Sequence, residues 1–245
     1  MTLKVMHLTG GYGHVSVLKD VNFEVKSGEL VGLIGLNGAG KSTAIKHIIG
    51  LLNQKEGEIL IDDLSLKADP ENYRKKIGYI PETPVLYDEL TLREHIEVTA
   101  MAYDIPIDEA FKRADKLLKT FRLENKLDWF PIHFSKGMKQ KVMVLCAFLV
   151  QPSLYIIDEP FLGLDPLAIN ALLELMQEMC RNGAAILMST HILATAEKYC
   201  DRFVVLHEGA INALGTIDEL REQFDLPDSS LDDIYLSLTK EKVVD

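Results

Sequence analysis

The residues that most plainly promise chemistry run from Gly35 to Thr43 as Gly-Leu-Asn-Gly-Ala-Gly-Lys-Ser-Thr. They follow the apolar run Leu30–Ile34 and precede the helical pattern Ala44–Ile49. A strand, a glycine-rich loop and a helix in that order can cradle phosphate. Gly35, Gly38 and Gly40 let backbone N–H groups turn inward with no Cβ in the way. The positive end of the following helix adds to the attraction for a polyphosphate. Lys41 can reach β- and γ-phosphates as a point charge, and the Ser42 hydroxyl can ligate Mg²⁺. The alternative is a glycine-rich turn that merely opens a helix. It is disfavoured because the flanking strand and helix fit as well.

A second group is Asp158-Glu159, at the end of the apolar stretch Leu154–Ile157. A carboxylate at the end of a buried strand can hold Mg²⁺ through its water shell, opposite Ser42, and Asp158 takes that role. Glu159 points elsewhere and can polarise a water in line with a γ-phosphate. Without the glycine loop, a solvated loop would be an equally good reading of the same pair. A third group is Ser135-Lys136-Gly137-Met138-Lys139-Gln140. Ser135 and the Gly137 amide stand at a helix N-terminus, a second place for an anion. One nucleotide does not need two such helix ends in one chain. Head-to-tail pairing of two copies across ATP is the economical use of the second end. From the residues alone, an ordinary capped helix remains equally open.

The elements that must position these groups alternate between strand and helix. Leu3, Val5, Val17, Val21, Phe23 and Val25 alternate as in antiparallel, half-exposed strands. Gly10-Gly11-Tyr12-Gly13 between them is expected to be a loop. Later strands, Ile77–Ile80, Leu154–Asp158, Ala184–Ser189 and Phe203–Leu206, alternate with helical patterns, which predicts a mainly parallel α/β sheet covered on both sides. From about Thr91 to Phe130 the pattern becomes helical, as an inserted subdomain would. Ser230–Leu238 reads as one capped amphipathic tail helix.

The 245 residues suit one large α/β domain, or one with an inserted subdomain, and 47% are hydrophobic. The net charge of -11 and the lack of a basic stripe argue against nucleic acid as a partner. The N-terminus lacks a signal-peptide pattern, and the apolar run Val142–Val150 is too short to cross a bilayer. Cys146, Cys180 and Cys200 have no metal-type spacing and read as packed thiols.

These motifs, in this order, resemble the ATP-binding subunit of an ABC transporter, over Tyr12 to about Leu214. Ser135–Gln140 resembles the ABC signature, Gly163-Leu164-Asp165 the D-loop, and Ser189-Thr190-His191 the switch-histidine motif. Longer stretches, Ile80–Tyr87, His133–Met143 and the run from Asp158 through Asn170 to Ser189-Thr190-His191-Ile192-Leu193-Ala194, are similar to the ATPase of the Ecs-type bacterial transporter. The resemblance implies a P-loop NTPase fold of the ABC type, with an antiparallel β subdomain and an inserted helical subdomain at about 85–150. It implies an ATPase domain over 1–220 and a helical tail over 221–245.

As site residues, the resemblance implies nucleotide contacts from Tyr12 (stacked on adenine), Asn37, Gly38, Ala39, Gly40, Lys41, Ser42, Thr43 and Asp165. Ser135 and Gly137 would reach the nucleotide of a second copy. Glu159, His191 and Lys41 would be catalytic, and Ser42, Asp158 and Glu82 would hold Mg²⁺. Two departures stand out. Glu82 occupies the place of the Q-loop glutamine; it can accept from metal-bound water but cannot donate, and it adds negative charge. Lys136 and Met138 replace the first glycine and the glutamine of the signature. The function implied is hydrolysis of ATP to drive a separate multi-span permease, peripheral to the cytoplasmic side of the cell membrane, with export as the Ecs-type direction. Val85-Leu86-Tyr87 would line the groove that receives a short helix of the permease. The rival is a soluble ABC-type ATPase acting on ribosomes or nucleic acid, which the single cassette and the acidic charge disfavour.

Overall fold

The computed structural model describes residues 2–240. The chain opens with two long antiparallel strands, β1 (Leu3–Tyr12) and β2 (Val15–Val25). In β2 the inward Leu18, Val21, Phe23 and Val25 are buried, while Lys19, Asp20 and Asn22 face water. The expected loop at Gly10–Gly13 is instead mostly strand. β1 continues through Tyr12, which pairs with Val15, and the turn needs only Gly13 and His14. Gly13, with φ 55°, supplies the left-handed residue that so tight a hairpin demands.

β3 (Leu30–Ile34) then leads through the glycine loop into α1 (Lys41–Ile48). β4 (Glu56–Ile61) and β5 (Leu64–Ser65) rejoin the first strands. The short α2 (Pro70–Lys75) gave no sign in the hydropathy pattern. It is started by proline and by Asp69, whose side chain accepts from the Asn72 amide. β6 (Ile77–Ile80) precedes the inserted helices α3 (Leu92–Ala102), α4 (Ile107–Phe121) and α5 (Lys136–Val150). Thr91 and Glu94 form a reciprocal cap on α3. β7 (Leu154–Asp158), α6 (Pro166–Arg181), β8 (Ala185–Ser189), α7 (Leu193–Tyr199), β9 (Arg202–His207) and β10 (Ala210–Gly215) follow. The described chain ends with α8 (Ile217–Gln223) and α9 (Leu231–Lys240). Of the expected tail over 221–245, residues 241–245 lie outside the described residues.

One sheet, ordered β2-β1-β4-β5, is antiparallel throughout. The other is ordered β10-β9-β3-β8-β7-β6 and is parallel except for β10. Every residue of β3, β7 and β8 is buried. Covered on both faces, these strands carry unbroken apolar runs rather than alternation. Because they run parallel as neighbours, their C-terminal ends emerge together. There the glycine loop, Asp158 and Ser189 meet, the usual place for a ligand in an open α/β sheet.

Three apolar clusters hold this edge in place. Leu3, Leu8 and Val21 of the first sheet pack with Leu33, Ile156 and Leu187 of the second and with Ile45 and Ile48 of α1. On the opposite face, Ile96, Phe121, Leu145 and Phe148 of the inserted helices join Tyr155 and Ile157 of β7 and Met176 of α6. The insertion thus shares its core with the strand that carries Asp158. Phe148 stacks on Tyr155 with centroids 4.7 Å apart. The third cluster joins α7, α8 and α9 to Ile34, Phe203 and Val205. Truncating one such side chain to alanine would cost about 2–5 kcal/mol.

Candidate active site

At the C-terminal edge of the parallel strands lies a cleft of about 580 Å³. The glycine loop forms one wall through Gly35, Leu36, Asn37, Lys41 and Ser42. Glu82, Asp158, Glu159 and His191 form the other, with Leu162, Leu193 and Tyr235 at its margins. Gly38, Gly40 and Thr43 lie on the outer face of the loop beside Val17. Gly38 and Gly40 have φ of 86° and 112°, so a side chain at either would strain the loop. Gly40 stands at the N-cap of α1 and gives it no side-chain cap. The first amides of α1 therefore remain as donors for an anion.

Lys41 is only 7% exposed. Its ammonium donates to the Gly35 carbonyl at 2.7 Å and to the Leu36 carbonyl at 3.4 Å. The loop thus carries a cation on its floor. Ala39 donates to the Leu36 carbonyl at 3.0 Å and tightens the same turn.

Asp158, at the end of β7, is 6% exposed and accepts from the Ser189 hydroxyl. Burial pushes its carboxyl above the ordinary carboxylate range, and nearby Glu82 and Glu159 add to the shift against Ser189 and Lys41. Three carboxylates converging on one cleft favour a divalent cation. Among the described residues no set of three acidic, histidine or cysteine side chains closes a metal cage. Mg²⁺ takes one or two carboxylates and completes its shell with water and substrate phosphates, and Asp158 and Glu82 are the carboxylates that could serve it here.

Glu159 follows Asp158 directly but adopts φ 47°, a left-handed conformation uncommon for glutamate. Its amide lies 3.2 Å from the Ser189 hydroxyl that donates to Asp158. Its Oε2 lies 2.8 Å from His191 Nδ1. Backbone strain of this kind recurs where geometry serves chemistry.

The remaining expected residues lie outside this cleft. Tyr12 is 47% exposed. Lys46 Nζ donates to its hydroxyl at 3.0 Å and sits 5.3 Å from its ring centroid. That hydrogen bond holds the phenol below its usual pKa. Ser135 caps α5 by accepting from the Met138 amide at 3.2 Å. A Cβ on Gly137 would stand 2.5 Å from the Gly163 carbonyl, so the start of α5 presses on the loop after Glu159. Asp165 caps α6 through the Ala168 amide at 2.9 Å and pairs with Lys141 at 2.8 Å. The structure thus brings Lys41, Ser42, Glu82, Asp158, Glu159 and His191 together within one chain, and leaves Ser135, Gly137 and Asp165 apart from them. Lys46, Lys141 and Tyr235 carried no sequence signal for a site.

Residues 18–162 match the sequence profile of the ABC transporter family. The chain is 62% identical over 239 residues to the ABC-type transporter ATP-binding protein EcsA of Bacillus subtilis (strain 168), covering 98% of this chain and 97% of that protein. It is 45% identical to YthP, an uncharacterized ABC transporter ATP-binding protein of the same organism, over 89% of this chain and 88% of the relative. A solved ATP binding subunit of an ABC transporter superposes with a TM-score of 0.96 at 60% identity, over 98% of this chain and 100% of that one. An ATP-binding cassette solved as a dimer in a post-hydrolysis state, with ADP and Pi bound, gives 0.78 at 27% identity, over 88% and 98%. With relatives followed almost end to end, and a cleft at the strand ends where phosphate chemistry needs it, the chain belongs to the ABC transporter family as an ATP-binding protein.

Proposed function

We propose that this chain hydrolyses Mg-ATP as a head-to-tail pair of identical copies and drives a separate membrane permease, in the export direction. One observation carries the reading. The cleft holds a phosphate loop, a metal-type carboxylate and a Glu–His pair, while the second anion-type helix end, at Ser135 and Gly137, lies outside it. A second copy facing the first supplies that end in trans. The related cassette solved as a dimer with ADP and Pi supports such pairing. The 62% identity to EcsA supports the transporter assignment.

In this reading the glycine loop and the α1 amides grip the phosphate chain, and the ring of Tyr12 packs on the base. Lys41 transfers its ammonium from loop carbonyls to β- and γ-phosphate oxygens. Ser42 and Asp158, with Glu82, would hold Mg²⁺, which when bound neutralises charge on those oxygens. Glu159 accepts a proton from the attacking water, and His191 fixes the carboxylate. Asp165 faces the phosphate loop of the opposite copy while still capping α6. ATP bridges the closed pair and ADP does not, so differential affinity drives opening.

Val85 and Tyr87, both largely exposed after Glu82, offer the permease an apolar contact. No helix among the described residues is long and apolar enough to cross a membrane, and in this reading the membrane-spanning part is a separate permease that the chain meets at the cytoplasmic face. The test is co-purification of a multi-span partner, followed by ATPase assay with candidate peptides. Recovery with ribosomes and without a membrane protein would favour the soluble alternative.

A further inference from the structure

Tyr235 belongs to α9, the last described helix, yet its side chain lines the same cleft as Lys41, Asp158 and His191. It is 7% exposed and packs in the cluster that joins Ile34, at the end of β3, to Leu193 and Ala196 of α7. α9 is tied down at its start. The Leu231 amide donates to Glu197 Oε2 at 2.9 Å, and Arg221 joins Glu197 Oε1 at 3.3 Å while its Nε donates to the Ser229 carbonyl at 2.8 Å. Glu197 sits on α7, which begins just after His191. The tail therefore touches both walls of the site: the entry to the phosphate loop and the helix behind the histidine.

Leu36 lines the cleft together with Tyr235 on the loop side. Its carbonyl already accepts from Lys41 and Ala39. Burial pushes the Tyr235 phenol up, and the Leu36 backbone beside it draws it partly back. A shift of α9 would thus move the turn that sets Lys41.

We propose that Tyr235 is a positioning residue of the nucleotide site, so that docking of α9 and occupancy of the phosphate loop stabilise each other. The inference rests on the reading that the cleft binds ATP. Linkage makes the effect reciprocal: nucleotide must tighten the tail by the factor that the tail tightens nucleotide.

The test uses the full chain with Mg-ADP and Mg-ATP as probes. Tyr235→Phe keeps the ring and removes the hydroxyl, and Glu197→Gln loosens the tether. Calorimetry should show nucleotide affinity weakened about three- to tenfold in Tyr235→Phe, the worth of one hydrogen bond. Amide hydrogen exchange over residues 231–238 should slow on adding Mg-ADP to the wild type, and less so in both variants. A purely structural role would lower the melting temperature while leaving the nucleotide-dependent protection intact. If wild type binds nucleotide but the tail amides do not respond, or Tyr235→Phe binds as tightly, the linkage is overturned alone. If wild type binds neither nucleotide, the ATPase reading falls with it.

Discussion

Glu159 and His191 meet across the edge of β7 and β8, with Oε2 2.8 Å from Nδ1 and 3.4 Å from the His191 amide. In the neutral ring the contact places the proton on Nδ1, toward the carboxylate. The carboxylate is thereby held at one oxygen, Oε2, and the other is the one the proposed mechanism offers to a water. The Ser189 hydroxyl donates to Asp158 and lies against the Glu159 amide, fixing the spacing of the two acidic groups.

Glu159→Gln keeps size and shape but removes the carboxylate that the proposed mechanism uses as its base. Turnover is expected to fall about 10²- to 10⁴-fold, with ATP affinity little changed and dimers accumulating when ATP is added. Phosphate release and gel filtration measure both. Monomers alone in the presence of ATP would count against the paired arrangement.

Glu82→Gln removes one of three clustered carboxylates. The isolated subunit is expected to keep its ATPase activity within a few-fold, because Ser42 and Asp158, the other two proposed metal ligands, remain in place. A Mg²⁺ titration of activity measures the change. Complete loss would show that the carboxylate at this position is required.

Asp158→Asn should separate stability from function. The wild-type carboxyl is buried beside Glu82 and Glu159, an arrangement that costs folding energy at neutral pH. Asparagine fits the same space and can still accept from Ser189. The melting temperature without nucleotide is expected to rise by roughly 2–4 °C, equivalent to about 1 kcal/mol in a chain of this size. Mg-dependent hydrolysis should be lost. A lower melting temperature would refute the argument.

His47 supplies a pH dependence away from the cleft. It is 2% exposed, its Nδ1 lies 3.1 Å from the Leu52 carbonyl, and burial holds its pKa below 6.5. In the folded protein this ring takes up its proton at lower pH than in the unfolded chain, where it protonates below about pH 6.5. Its contribution is thus intact above that pH and is lost as pH falls toward the folded value. Melting curves at about pH 7.5 and about pH 5.5 should differ more for the wild type than for His47→Gln. Equal differences would exclude His47 as the source.

The glycine loop, Asp158 and Glu159 were legible because the chemistry itself fixes residue type and spacing. The parallel strands were legible for a related reason, since strands covered on both faces must be apolar throughout. Gly10–Gly13 was misread because glycine signals a turn, while this hairpin needs a left-handed residue only at Gly13. α2 escaped because six residues with one buried side chain, Tyr73, leave no helical period to detect. The tail helix was readable from its cap and alternation, but the destination of Tyr235 was not. That depends on packing between the two ends of the chain, which no local pattern encodes. Likewise, Asp165 was singled out by the D-loop resemblance, but its pairing with Lys141 was not.

Gly137 lets the first turn of α5 rest on the Gly163 carbonyl, and Lys141 grips Asp165 one turn further on. These two joints rivet the helix to a stretch of chain that begins at Glu159. In the facing arrangement proposed above, each molecule's hydrolytic carboxylate would be geared to the clasp it extends over its neighbour's fuel. A pair built this way has no mechanically isolated halves: firing in one pocket tugs on the other.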